Sequence, residues 1–185
     1  MTKIILASKS PRRRELMELL HIPFDVIVSD IDEQIDPQND LVKEIEKLSY
    51  RKAEAVFKDH PDALVIGSDT IVKIGNDILG KPKDIEQAEA MLKELSDNTH
   101  EVVTGVSILY KDQTETFSSV AKVTFYPLDE KEISEYIATN EPMDKAGSYA
   151  IQGDAAKFIR SIEGDYYTIV GLPIAELYHR LKKYL

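Results

Sequence analysis

The chain has no cysteine in its 185 residues, which excludes disulfides, thiol nucleophiles and thiolate metal sites and accords with a reducing compartment. It also lacks any apolar stretch approaching the ~20 residues of a membrane span. Met1-Thr2-Lys3 leads straight into a short apolar run, so a cytoplasmic location is expected. Positive charge is in deficit: 23 Lys+Arg stand against 33 Asp+Glu, a net −10. Such a surface repels nucleic-acid backbones and anionic membranes, so an anionic ligand has to be small and bind locally. The four histidines, His21, His60, His100 and His179, are scattered without metal-ligand spacing. Gly75, Gly80, Gly147 and Gly153 form neither a Walker A loop nor a dinucleotide fingerprint. Tyrosines and phenylalanines show no alternation with basic residues of the kind that stacks single-stranded nucleic acid. Repeats, low-complexity tracts and linkers are absent, so a single domain over 1–185 is expected.

What is present begins with early α/β alternation. Residues 3–7 read as a buried strand and 11–20 as a helix stopped before Pro23, and Phe24 to Val28 read as a second strand. An acidic loop, Asp30 to Asp40, precedes a helix over about 40–58 with Leu41, Ile45, Leu48 and Val56 on one face. Ala63 to Ser68 forms a compact apolar strand leading into Asp69 and Thr70, and Ile71 to Leu79 reads as a hairpin around Gly75-Asn76-Asp77. A helix over 84–95 follows, then strands over about 101–110 and 115–126 flanking a turn at Lys111-Asp112-Gln113. A short helix is capped by Asp129 and Glu132. Glu141 to Gly153 reads as a loop, 157–162 as a strand, and a closing helix starts near Pro173. The pattern predicts an α/β or α+β fold with a mixed sheet and flanking helices.

Candidate chemistry starts at Ser8-Lys9-Ser10-Pro11-Arg12-Arg13-Arg14. Ser10 is a good N-cap and Pro11 a good first helical residue, yet three arginines occupy a first turn whose dipole disfavours cations by roughly 0.3–1 kcal/mol each. Backbone N–H groups, hydroxyls and guanidinium forks gathered there would receive a polyphosphate, with Ser8, Ser10 and Arg13 as its contacts. The competing role is a solvated turn whose arginines pair with Glu15 and Glu18. Asp69 directly follows an apolar run, where an ionised carboxylate needs a cationic partner; the competing role is a turn aspartate capping the hairpin. If the strands ending near Ala7 and Ser68 are parallel neighbours, Asp69 and the Ser8–Arg13 segment share one crevice. Lys52 continues the apolar stripe of its helix and points inward or snorkels. Lys81, on a constrained turn between Gly80 and Pro82, either reaches a ligand or is solvated. Asp32 and Glu33 are hard oxygen donors suited to Mg²⁺ or Mn²⁺, or else part of a solvated acidic loop.

Taken in order, Ser8-Lys9-Ser10-Pro11-Arg12-Arg13, Asp32-Glu33, Lys52-Ala53, Gly67-Ser68-Asp69-Thr70, Gly80-Lys81-Pro82, Glu141-Pro142-Met143-Asp144-Lys145-Ala146-Gly147, Ile151-Gln152-Gly153, Gly164-Asp165-Tyr166-Tyr167 and Val170-Gly171-Leu172-Pro173 resemble the Maf family of nucleoside triphosphate pyrophosphatases over nearly the whole chain. The resemblance implies a cytoplasmic, metal-dependent hydrolase that yields a nucleoside monophosphate and pyrophosphate. It also implies an elongated mixed sheet with a cleft between two lobes, similar to inosine triphosphate pyrophosphatases, and a homodimer. Asp69 matches the proton acceptor, and Ser8, Arg13, Glu33, Lys52 and Lys81 match the polar cleft; a divalent metal is expected to be held by Asp69 with Glu33. Branches of the family differ at three positions, occupied here by Arg12, Thr70 and Gln152. That combination resembles the dTTP/UTP branch, whereas the 7-methyl-GTP branch carries Trp, Gln and Glu. A methylated, cationic guanine favours an aromatic face and a carboxylate, whereas Thr and Gln offer hydrogen bonds to a neutral pyrimidine. The alternative from another class is a non-catalytic nucleotide-sensing regulator of septum formation, a role with which the family is associated.

Overall fold

A computed structural model describes residues 2–185. Seven strands form one mixed sheet: β1 (Ile4–Ala7), β2 (Asp25–Val26), β3 (Leu64–Ile74), β4 (Asp77–Leu79), β5 (Thr99–Tyr110), β6 (Gln113–Phe125) and β7 (Ile159–Glu163). The order is β2-β1-β3-β5-β6-β7, with β4 paired to β3. Six α-helices accompany them: α1 (Pro11–Glu18), α2 (Leu41–Phe57), α3 (Ile85–Leu95), α4 (Glu130–Ala138), α5 (Tyr166–Val170) and α6 (Ile174–Leu181). Among the described residues no helix is long and apolar enough to cross a membrane.

The chain divides into two compact units. Unit 1 comprises 1–70, 104–119 and 171–185, and unit 2 comprises 71–103 and 120–170; β3, β5 and β6 each contribute residues to both. In unit 1, β1 pairs in parallel with β2 and with β3, and its ladder with β3 runs from Ile4↔Leu64 to Ala7↔Gly67. Parallel strands covered on both faces read as continuous apolar runs, and Ile4 to Ala7 and Leu64 to Ile66 are all buried. Helix α2, capped by Asp40, presents Ile45, Leu48, Ser49, Lys52, Ala53 and Val56 inward. It approaches the sheet very closely. A Cβ placed on Gly67 of β3 would lie 2.3 Å from the Ser49 carbonyl oxygen, and one on Gly105 of β5 would lie 2.7 Å from that of Ile45.

Unit 2 is built around edge-on aromatic contacts linking His100, Phe125 and Tyr149, with Tyr136 against Phe158. Helix α4 begins with a complete capping box, Asp129 and Glu132. Burial holds the His100 imidazole neutral, its pKa lowered to about 4.

Several expected boundaries shift, each for a local reason. The strand over 24–28 shortens to Asp25–Val26, both exposed, with its ladder formed against β1. The strand at 63–68 and the first arm of the hairpin are one element, β3, because Ile71, Val72 and Ile74 resume the buried pattern after Asp69 and Thr70. Asp69 is therefore a strand residue rather than a turn residue. The loop at 141–153 contains two 3-10 turns, Glu141–Asp144 and Ala146–Ser148. Asp154–Phe158 is a further 3-10 turn that delays the strand expected from 157 to Ile159. Helix α5 falls in a Gly-Asp-Tyr-Tyr segment too short to show periodicity.

Candidate active site

The parallel ladder of β1 and β3 ends at Ala7↔Gly67, so Ser8 and the pair Ser68-Asp69 leave it side by side. This is the crevice position expected beyond strand carboxyl ends. After Ser8 the chain turns into α1, where the Ser10 side chain accepts from Arg13 N and caps the helix.

The three arginines then take separate fates. Arg14 is exposed and pairs with Glu18 at 3.1 Å, one of the solvated pairings that the sequence allowed. Arg12 is half-buried. Arg13 is buried: its Nε donates to the Gly171 carbonyl at 2.7 Å, Nη2 to Thr70 Oγ1 at 3.0 Å and Nη1 to Ser8 Oγ at 3.4 Å. Three of its five N–H donors are thereby committed inside unit 1. Burial lowers its pKa, the nearby Asp69 and Glu33 carboxylates oppose that shift, and Arg12 adds to it. A guanidinium tolerates this without losing its proton.

Asp69 and Glu33 meet on one ammonium. Lys52 Nζ lies 2.9 Å from Glu33 Oε1 and forms a close ion pair with Asp69 Oδ2. The lysine is buried, Asp69 is nearly so with a side chain 15% exposed, and Glu33 is 42% exposed on its loop. The cation that Asp69 required is therefore Lys52, directed inward as the helical stripe suggested. Asp69 Oδ1 accepts from Thr70 N at 2.8 Å, and buried Oδ2 faces the Lys52 ammonium. An oxygen of that kind beside a second carboxylate suits a hard divalent cation, which commonly takes one or two protein carboxylates and completes its shell with substrate phosphates and water. Among the described residues no group of three or more His, Cys, Asp or Glu side chains is placed to hold a metal without such help.

Ser8, Ser10, Arg12, Arg13, Glu33, Lys52, Asp69 and Thr70 all belong to unit 1. Lys81 and Gln152 belong to unit 2 and are exposed there. Lys81 follows β4 in a loop fastened by Gly147 N donating to the Gly80 carbonyl, and Gln152 lies in a turn closed by Gly153 N and the Ala150 carbonyl. The Thr70 hydroxyl, expected to be available for a base, has two protein partners: it accepts from Arg13 and lies 2.8 Å from Thr104 Oγ1.

Two contributors escaped the reading of side-chain chemistry. The Gly171 carbonyl accepts from both Arg13 and Ser68 Oγ, and its backbone has φ +131°, a conformation that requires glycine. Its signal was the Val170-Gly171-Leu172-Pro173 segment, which carries no ionisable group. Gly67 is the other, since only a hydrogen fits beneath α2 at that point of β3.

The sequence profile described as Maf-like protein matches residues 3–184. A dTTP/UTP pyrophosphatase of Bacillus cytotoxicus is 51% identical over 184 residues, covering 100% of this chain and 96% of that relative. A protein of the same name from Bacillus cereus is 49% identical with the same coverage. In fold, the chain is similar to the Staphylococcus aureus Ham1 protein, with a TM-score of 0.50 and 17% identity over 85% of this chain and 91% of that one.

Proposed function

Since the chain belongs to the Maf family over essentially its full length, we propose that it is a nucleoside triphosphate pyrophosphatase acting on dTTP and UTP and releasing the monophosphate and pyrophosphate. The observation that carries this reading is the convergence of Asp69 and Glu33 on Lys52, next to a buried guanidinium, where the parallel ladder ends. Paired carboxylates in a site with fixed cations suit phosphoryl transfer, in which positioning and electrostatics supply most of the catalysis.

In the reaction, a water oxygen bonds to the α-phosphorus, the bond from that phosphorus to the α,β-bridging oxygen breaks, and pyrophosphate leaves with the electron pair. Asp69 and Glu33 are the residues that would hold a divalent cation, Mg²⁺ or Mn²⁺, which when bound supplies charge neutralisation and polarisation of the phosphates. Asp69 would also accept the proton of the attacking water. Lys52 keeps two like charges together and contributes a positive charge to the phosphates. Arg13, immobilised by three hydrogen bonds, presents its remaining N–H groups and a fixed charge without needing to reorganise. Ser8 and Ser10 complete the phosphate contacts within unit 1.

Within unit 1 the preference for a neutral pyrimidine is assigned to Arg12 and Thr70, with Thr70 acting through its hydrogen bonds to Arg13 and Thr104. Initial rates with dTTP, UTP, dCTP, GTP and 7-methyl-GTP test this directly. The two thymine and uracil nucleotides should be cleaved faster than the guanine nucleotides, and preferential cleavage of 7-methyl-GTP would overturn the specificity assignment.

A further inference from the structure

Glu33 is needed at a buried lysine but rides on a segment, between β2 and α2, that has no regular secondary structure before the turn at Pro37. Something other than a ladder must hold it. Arg51, the residue preceding Lys52 on α2, extends its guanidinium across this segment. Its Nη1 donates to the Asp32 carbonyl at 3.1 Å and its Nη2 to the Gln34 carbonyl at 2.9 Å. The fork therefore grips the backbone immediately before and immediately after Glu33. A second tether lies further along, where Glu44 accepts from Asp36 N at 3.2 Å and from Asn39 Nδ2 at 3.2 Å.

We propose that Arg51 is the positioning residue for Glu33, fixing the acidic loop so that its carboxylate meets Lys52 and Asp69. Consecutive residues of one helix then do complementary work: Lys52 turns inward to the two carboxylates, and Arg51 holds the chain that delivers one of them. A planar fork suits two carbonyls two residues apart, and a single ammonium cannot span both in the same way. The proposal rests on the reading of Glu33 as a member of the active site.

The test combines a double-mutant cycle with amide exchange. Arg51→Ala should lower kcat/KM for dTTP by about 10–100-fold, the range seen when a residue supporting a metal ligand is removed, and should raise the Mg²⁺ concentration needed for half-maximal rate. Arg51→Lys should recover little of the loss. In a Glu33→Ala background, Arg51→Ala should have no further effect, because both changes remove the same carboxylate from the site. In metal-free protein, hydrogen exchange of amides 32–35 should quicken in Arg51→Ala while exchange in β1 and β3 stays unchanged. Multiplying losses in the double variant, or unaltered exchange at 32–35, would overturn the proposal. Full activity of Glu33→Ala beside an inactive Asp69→Asn would overturn it too, leaving the hydrolase reading intact, whereas no turnover of dTTP by the unaltered protein with Mg²⁺ would refute the hydrolase reading itself.

Discussion

Replacing Asp69 with Asn is expected to lower turnover of dTTP by about 10²–10⁴-fold, the range associated with loss of a positioned proton acceptor, while leaving the fold in place. The substitution is nearly isosteric. The amide oxygen of the new side chain could still accept from Thr70 N, and Lys52 would retain its ion pair with Glu33. What disappears is the negative charge on the oxygen that touches the ammonium. With it go both the capacity to take a proton from water and one of the two candidate contacts to a divalent ion. Steady-state rates at saturating Mg²⁺, with thermal unfolding run in parallel, check this outcome. Near-normal rates in a folded variant would remove Asp69 from the mechanism. Loss of folding would mean that its main contribution is structural compensation of Lys52.

Gly67→Ala should be the most damaging single-methyl change in unit 1. The added Cβ would lie 2.3 Å from the Ser49 carbonyl oxygen, 2.7 Å from Ala53 N and 2.9 Å from Ala53 Cβ. The first two are backbone atoms of α2, so no rotamer change relieves the clash and the helix itself must move off β3. Overpacking costs about 1–3 kcal/mol and more where backbone is forced aside. At ~3 kcal/mol a chain of this size should lose roughly 6–12 °C in Tm. The effect should extend to function, because Lys52 immediately precedes Ala53 and its contact with Asp69 crosses the widened interface. A displacement of about 1 Å at such a site is enough to cost up to ~10²-fold in rate. Gly80→Ala, with open space around its Cβ position, is the control and should leave Tm unchanged. Equal Tm values and rates for the two variants would contradict the close-approach account.

The parts legible from sequence were those written in a strong local code. Buried parallel strands announce themselves as apolar runs, and Ile4-Ile5-Leu6-Ala7 and Leu64-Val65-Ile66 lie side by side in register. Lys52 stood out by breaking a helical stripe, and Asp69 by adjoining an apolar strand, so their meeting followed from charge compensation in a poorly solvated place. Legibility failed where structure depends on partners distant in sequence. Ser68-Asp69-Thr70 looks like the end of a strand because its polarity interrupts the apolar pattern, but Arg13, Thr104 and the Gly171 carbonyl provide hydrogen bonds that let β3 continue through it. Three adjacent arginines cannot be told apart by composition. Their separation into an inward Arg13 and an outward Arg14 follows from the angle of about 100° between successive helical residues and from the location of the Gly171 carbonyl, 158 residues away. Arg51 reads as an ordinary helix-surface cation until the carbonyls of Asp32 and Gln34 are seen beside it.

The most direct test of the central claim is to follow dTTP with the purified protein and Mg²⁺ by ³¹P NMR. If the cluster of Asp69, Glu33, Lys52 and Arg13 performs attack at the α-phosphorus, the products are dTMP and pyrophosphate, and their formation is lost in Asp69→Asn. Release of orthophosphate with dTDP, or an intact triphosphate after prolonged incubation with either Mg²⁺ or Mn²⁺, would contradict it.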